Sequence, residues 1–286
     1  MIVIVDLLLM LINLTCSILN AVVQTFLRPR LKSIDGELCL ITGAGGALGR
    51  LFALEFAKEG ARLVLWDCNG PANEHTAELA RGLGAQVHTH TVDVSERRSI
   101  YETADRVRAE VGEVTILVNN AGVVAGRRLL DCPDELLERT LLVNCHALFW
   151  VRLVLKSTTE SFACRCARAT SEVRYITRAR SAARPPFSCA LKCERLVRRP
   201  VTVQKELRSL IPPLEPLYTV QQSMKAILAE QQMICIPRLM YIPVLTRALL
   251  PWEANVATYR FMGGDKCMLP FIKNVELKTS SSHIKS

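Results

Sequence analysis

The chain has 286 residues, with 36 Lys and Arg against 27 Asp and Glu, and half of its residues are apolar. This length suits one large α/β domain or two small ones, and the apolar fraction excludes a disordered or fibrous protein. The net charge of +9 raises the question of an acidic partner such as a nucleic acid.

The N-terminal segment, residues 1–30, predicts a membrane anchor. No charged residue lies between Leu7 and Leu27, and a spanning helix needs about 20 apolar residues. A cleaved signal peptide and a buried core helix are the alternatives, although a signal peptide has a basic start and a shorter apolar run. Basic residues follow the run and none precedes it, which predicts a cytoplasmic main domain.

Residues 36–150 predict the dinucleotide-binding half of a Rossmann-type α/β fold, a doubly wound parallel sheet. Leu38 to Thr42 is typical of a buried strand, and a glycine-rich turn joins it to a helix over Leu51 to Lys58. Glycines allow the backbone to approach a pyrophosphate, and the helix N-terminus supplies free N–H donors. Strand, glycine turn and helix together predict a phosphate-binding loop.

A second predicted strand, Arg62 to Trp66, ends at Asp67, 24 residues after Gly43. An acid at the end of this strand accepts the ribose hydroxyls of NAD and repels the 2′-phosphate of NADP. Asp67 therefore favours NAD as the cofactor. A neighbouring cation could reverse this preference, so NADP stays open.

The next predicted elements are a strand over Gln86 to Val94, a helix over Glu96 to Val111 and a strand over Ile116 to Asn120. Ligands of such sheets bind at the carboxyl ends of the strands. The residues predicted to bind the cofactor are Thr42, Gly43, Gly45, Gly46, Leu48, Gly49, Asp67, Asp93, Val94, Asn120, Ala121 and Gly122.

The stretch 152–200 differs from both of its flanks. Between Arg152 and Arg199 it has twelve basic and three acidic residues, so the whole net charge of +9 lies there. It has no glycine and shows no alternating strand pattern where the rest of the sheet should form. We expect the C-terminal half of the sheet to be disrupted.

Residues 201–272 predict a C-terminal substrate-side region, with a helix over Thr219 to Gln231. The apolar segment Met233 to Leu250 is broken by prolines and arginines, which favours a cap or interfacial element over a second span. Residues 273–286 predict a disordered tail. The eleven cysteines are scattered, so no metal site and no disulfide framework is predicted.

Several motifs carry a resemblance to the short-chain dehydrogenase/reductases. They are Thr42-Gly-x-x-x-x-x-Gly49, Asp93-Val94, Asn119-Asn-Ala-Gly122 and Val143-Asn144. Longer matching segments resemble the membrane-anchored retinol dehydrogenase 10 and epidermal retinol dehydrogenase group, over roughly residues 1–150 and 203–286. They include Leu65-Trp-Asp67, Cys132-Pro-Asp-Glu-Leu136, Val143-Asn-Cys-His146 and Asp265-Lys-Cys-Met268.

The resemblance implies oxidation of all-trans-retinol, or another lipophilic alcohol, to the carbonyl compound by hydride transfer to a nicotinamide cofactor. It also implies a place at the cytoplasmic face of the endoplasmic reticulum membrane or a lipid droplet, with one N-terminal anchor, the bilayer as a partner and a homodimer as a family expectation. No nucleic acid partner is expected, since the basic stretch lacks a nucleic-acid-binding pattern.

In such enzymes an Asn, a Ser and a Tyr-x-x-x-Lys pair perform the chemistry, and Asn144 matches the Asn. None of the five tyrosines has a Lys four positions later. Ser188-Cys-Ala-Leu-Lys192 has the spacing but not the phenol, and we interpret it as a chance similarity. Ala47 replaces a family glycine, which is expected at worst to weaken cofactor binding.

Three interpretations of residues 152–200 remain. One is a basic module for RNA or phospholipid, and another is a catalytically silent paralogue that binds the cofactor and acts as a membrane scaffold or partner. The third, which we favour, is a mis-spliced or shifted reading frame in the gene of an ordinary enzyme. Because Asn144 is the only catalytic residue left, we expect little or no activity from this chain.

Overall fold

The computed structural model describes residues 9–13, 15–16, 19, 31–125, 129–152, 173–178, 188–192, 214–231, 233–242, 244 and 249–261. The chain divides into two units, Met1–Ser33 and Ile34–Ser286. In the first unit, residues 9–13, 15–16 and 19 are helical and exposed. No helix within the described ranges is long and apolar enough to cross a membrane. Most of the predicted anchor and the whole predicted tail lie outside those ranges.

The second unit is built on a seven-stranded sheet with the strand order β3-β2-β1-β4-β5-β6-β7. Its described strands are β1 (Leu38–Thr42), β2 (Arg62–Asp67), β3 (Val87–Thr91), β4 (Ile116–Val118), β5 (Val173–Arg178), β6 (Ser188–Lys192) and β7 (Met233–Ile234). Its described helices are α1 (Ala47–Lys58), α2 (Gly70–Arg81), α3 (Arg97–Glu110), α4 (Asp134–Leu141), α5 (Ala147–Val151), α6 (Pro216–Leu228) and α7 (Trp252–Phe261). A π-helical turn, Leu142–His146, joins α4 to α5.

Helices cover both faces of the sheet, as the doubly wound prediction requires. On one face, buried side chains of α1, α2 and α6 pack against alternate residues of β1 and β2. On the other face, α3, the π-helical turn and α5 supply the buried side chains. All five residues of β1 are buried, because this central strand is covered on both sides. The first four strands are parallel, which confirms the predicted sheet and crossovers.

The C-terminal half of the sheet was expected to be disrupted, and its parallel pattern does change within residues 152–200. The structure has two strands there, and β5 runs antiparallel to both β4 and β6, while β6 runs parallel to β7. Val173, Tyr175, Ile176 and Thr177 are residue types with high β propensity, a signal that Arg174 and Arg178 obscured. The sheet therefore continues through this stretch, and its parallel pattern is interrupted only at β5 among the described strands.

Several boundaries differ from their predicted positions. Helix α1 begins at Ala47, four residues before the predicted start, because the extended Gly46 forms its N-cap. Helix α6 begins at Pro216, since a proline fits the first helical turn without loss of a hydrogen bond. Strand β4 ends at Val118, so Asn119 and the residues after it lie beyond the sheet, at its carboxyl edge.

Candidate cofactor-binding site

The glycine turn between β1 and α1 needs glycine at two positions for different reasons. Gly43 has a φ of +66°, a left-handed conformation that favours glycine, and a Cβ there would lie 2.8 Å from the Cα of Ala121. A Cβ on Gly49 would lie 2.1 Å from the carbonyl oxygen of Gly43. The absence of these side chains brings the first turn of α1 directly against the loop.

The segment after β4 is fastened to the same loop. The Asn120 side-chain amide donates to the carbonyl oxygens of Thr42 and Gly43, at 3.0 and 2.9 Å. The Thr42 hydroxyl accepts the backbone N–H groups of Asn120 and Ala121, at 3.0 and 3.1 Å. These bonds lie at the carboxyl edge of two neighbouring strands, so the predicted residues Thr42, Gly43, Asn120 and Ala121 do come together.

Asp67 lies beside the loop at the end of β2. One carboxylate oxygen accepts the N–H of Gly45 at 3.0 Å, and the other accepts the N–H of Asn69 at 2.8 Å. Each carboxylate oxygen has a second lone pair, so Asp67 keeps acceptor capacity for a ligand hydroxyl. The structure therefore brings the predicted acid into contact with the predicted phosphate loop.

Two carboxylates lie near the thiol that follows β2. The pKa of the Cys68 thiol is raised by its partial burial and by the nearby carboxylates of Asp67 and Asp93. Asp93 also accepts the backbone N–H and the hydroxyl of Ser95, at 2.9 and 2.7 Å, which closes the turn after β3. Val94 is buried in the core face that contains α3.

Asn144 lies in the π-helical turn, a type of irregularity that is common at functional sites. Its side-chain oxygen accepts the N–H of Val123 at 2.9 Å, and its side-chain nitrogen donates to the carbonyl oxygen of Val123 at 2.7 Å. The amide therefore braces the segment that follows β4. Its second N–H and second lone pair remain available for a water molecule.

The segment Ser188-Cys-Ala-Leu-Lys192 forms strand β6. Along a strand, residues four positions apart are separated by about 13 Å, whereas one helical turn separates them by about 6 Å. The likeness of this segment to Tyr-x-x-x-Lys is therefore limited to spacing in the sequence.

Because β5 is antiparallel, its last residue, Arg178, pairs with Ile116 at the start of β4, at the edge opposite the glycine loop.

No role was predicted from the sequence for Arg50, Thr76 or Asn73, which lie near the loop. Arg50 donates to the carbonyl oxygen of Gly45 and to the Thr76 hydroxyl, both at 3.3 Å. Asn73 is buried and donates to the carbonyl oxygen of Leu65 at 2.9 Å, which ties α2 to β2. A local signal for this region is Asn69, a residue type that favours helix N-caps and here accepts the N–H of Ala72 at 3.1 Å.

The predicted Gly46, Leu48 and Gly122 complete the list of loop and edge residues. Gly46 is exposed at the N-cap of α1, and Leu48 packs partly against the core face formed with α1. Ala47 is the first helical residue and is exposed, so its methyl group lies on the accessible side of the loop. Among the described residues, no group of three or more His, Cys, Asp and Glu side chains could hold a metal ion.

Comparison with known proteins gives three findings. The family description "short chain dehydrogenase" matches residues 37–168, which reaches past Trp150, where the resemblance was expected to stop. Retinol dehydrogenase 10 of Xenopus tropicalis is 41% identical over 319 residues, covering 93% of this chain and 94% of that protein. Retinol dehydrogenase 10 of Homo sapiens gives the same identity and coverage.

The matched relatives are longer than this chain. The aligned length of 319 residues exceeds the 286 residues of this chain, so part of each relative has no counterpart here. Among solved structures, an NAD⁺-bound xylitol dehydrogenase is 32% identical with a TM-score of 0.41, over 43% of this chain and 48% of that chain.

Proposed function

This chain belongs to the short-chain dehydrogenase family. We propose that it is related to the membrane-bound oxidoreductases that oxidise retinol and that it binds a nicotinamide dinucleotide. The observation that carries the proposal is the joined set of Gly45, Asp67, Thr42 and Asn120 at one edge of the sheet. The relatives named retinol dehydrogenase, at 41% identity, support a retinoid or a similar lipophilic alcohol as the substrate class.

The site residues fit an NAD molecule better than an NADP molecule. Asp67 has free acceptor capacity for ribose hydroxyls, and its carboxylate would repel a 2′-phosphate placed beside it. The backbone N–H groups at the start of α1 lie next to the close approach of Gly43 and Gly49, where a pyrophosphate would be bound. NAD is therefore the proposed cofactor, and NADP is the alternative.

The bound cofactor would supply the hydride acceptor for the alcohol carbon. This chain's own contributions are to hold the adenosine ribose at Asp67 and to order the segment after β4 through Asn120 and Asn144. Asn144 keeps hydrogen-bonding capacity for a relay water. No tyrosine of the chain has a lysine four positions later, so the sequence lacks the pair that would remove the alcohol proton and lower the pKa of the phenol.

We therefore propose that this chain binds the cofactor but oxidises retinol at little or no rate. The absence of Tyr-x-x-x-Lys from the whole sequence favours a second candidate function, a catalytically silent cofactor-binding paralogue that acts as a membrane scaffold or partner. The proposed location is the endoplasmic reticulum membrane or a lipid droplet, with one N-terminal anchor and a cytoplasmic main domain. The support is the uncharged run Leu7 to Leu27 and the basic residues that follow it.

The test uses microsomes that contain the full chain, supplied with all-trans-retinol and either NAD or NADP. We expect no retinal above the background of microsomes without the chain, because general acid–base catalysis contributes about 10²–10⁴-fold to such rates. Calorimetric titration of the detergent-solubilised chain should still detect NAD binding. Robust retinal formation would refute the proposed inactivity, and absence of nicotinamide dinucleotide binding would refute the cofactor site.

A further inference from the structure

Gly45 is held on both sides by charged side chains. Its N–H donates to the Asp67 carboxylate at 3.0 Å, and its carbonyl oxygen accepts from the Arg50 guanidinium at 3.3 Å. Hydrogen bonds to charged groups are stronger than neutral ones. The position of Gly45, and with it the distance between the phosphate loop and Asp67, therefore depends on both side chains.

The Arg50 guanidinium is itself fixed by a second contact. Its Nε donates to the Thr76 hydroxyl on α2 at 3.3 Å, and that hydroxyl donates to the carbonyl oxygen of Ala44 at 3.0 Å. A planar guanidinium with two occupied donors keeps one orientation, which a single ammonium group cannot reproduce. Arg50 thus joins α1, α2 and the loop.

We propose that Arg50 is a positioning residue for cofactor selection, because it holds Gly45 where the Gly45 N–H fixes the Asp67 carboxylate. Asp67 discriminates between a ribose hydroxyl and a 2′-phosphate only while its carboxylate faces the ribose position. One of its oxygens is held by Asn69 and the other by Gly45, so loosening Gly45 frees half of the carboxylate. Loss of Arg50 should therefore reduce the preference for NAD over NADP. This inference rests on the proposed cofactor site.

The loop also packs closely against α2 at Gly45. A Cβ on Gly45 would lie 3.0 Å from the Cβ of Ala72, so the loop already touches α2 without a side chain of its own. Glycine has a wide range of accessible backbone conformations, so contacts with its neighbours fix the conformation of Gly45. The hydrogen bond from Arg50 is thus one of the contacts that restrict the backbone conformation of Gly45.

The experiment measures NAD and NADP dissociation constants by calorimetry on the full chain in detergent. Arg50→Ala should weaken NAD binding about tenfold, as expected for the loss of one hydrogen bond from a charged group, and should leave NADP binding nearly unchanged. Arg50→Lys keeps the charge but not the fork, so it should give an intermediate ratio. Arg62→Ala is the matched control, because Arg62 also donates to a glycine carbonyl, that of Gly36 at 3.2 Å, at the opposite end of β2.

A double-mutant cycle shows whether Arg50 acts through Asp67. In an Asp67→Ala background, Arg50→Ala should leave the NAD to NADP ratio unchanged. An equal loss of affinity for both cofactors in Arg50→Ala, or no loss for either, would overturn the inference while the cofactor site stands. If the unmodified chain binds neither cofactor, the proposed function fails and this inference fails with it. Thermal unfolding of each variant checks that the fold is retained.

Discussion

The contact between Gly49 and Gly43 gives the sharpest test of the loop geometry. In Gly49→Ala the new Cβ would lie 2.1 Å from the carbonyl oxygen of Gly43 and 2.7 Å from the Asn120 side-chain nitrogen. Real Cβ atoms essentially never approach backbone atoms under 3.0 Å, so α1 and the loop must move apart. The same movement would disrupt the Asn120 bonds that fasten the segment after β4.

The expected cost follows from this overlap. Introducing one methyl group into a packed site costs typically 1–3 kcal/mol, and contact with rigid backbone places this site at about 3 kcal/mol. For a domain of this size, about 3 kcal/mol corresponds to a fall in Tm of roughly 6–12 °C. Thermal unfolding of the full chain in detergent, followed by circular dichroism, measures this shift.

Gly82 provides the control within the same unit. It follows α2 with a φ of −59°, and a Cβ there would meet only carbonyl oxygens at 3.4 and 3.5 Å. Gly82→Ala should therefore leave stability unchanged or raise it by about 0.4–1 kcal/mol, since alanine restricts the unfolded chain. A Gly49→Ala variant as stable as Gly82→Ala would refute the close approach of α1 to the loop.

Two further predictions concern β3 and β6. The pKa of His90 is lowered by burial and by the nearby Arg106, so the unfolded chain, with a His pKa of 6.5, binds more protons as the pH falls below neutrality. The free energy of unfolding should therefore fall as the pH decreases through 6.5. His90→Gln should reduce this pH dependence, which thermal unfolding between about pH 7.5 and 5.5 measures. Equal slopes of stability against pH for the variant and the unmodified chain would contradict the prediction. Ser188→Tyr creates a Tyr-x-x-x-Lys sequence, but this sequence lies on strand β6. Microsomes with this variant should therefore form no more retinal than microsomes with the unmodified chain. Restored turnover would show that this segment forms a helix.

Much of the structure of residues 36–150 was predictable because its signals are local. A continuous apolar run predicts the buried β1, and the glycine turn and the acid at the end of β2 are set by spacing along the chain. The element order from β1 to β4 followed from those signals and the right-handed crossover rule. Asp67 and Asn120 were assigned to one edge for the same reason, and the structure joins both to the loop.

The middle stretch shows where local signals failed. Its arginines and missing glycines predicted a disrupted sheet, and the two strands found there include β5, which pairs antiparallel with β4. Cross-strand pairing joins residues far apart in sequence, which no local window can register. The direction of β5 could not be read from the sequence, because strand propensity is the same in either orientation.

The sequence by itself determined the family, the glycine turn and the absence of Tyr-x-x-x-Lys, since each depends on which residues are present and at what spacing. Only the tertiary structure decided which groups restrain Gly45, because Arg50, Thr76 and Asp67 come from three separate elements. It also decided that Asn144 braces Val123 and that Ser188 and Lys192 lie on a strand. These are contacts and distances in space, and they arise only when the elements pack around a common sheet.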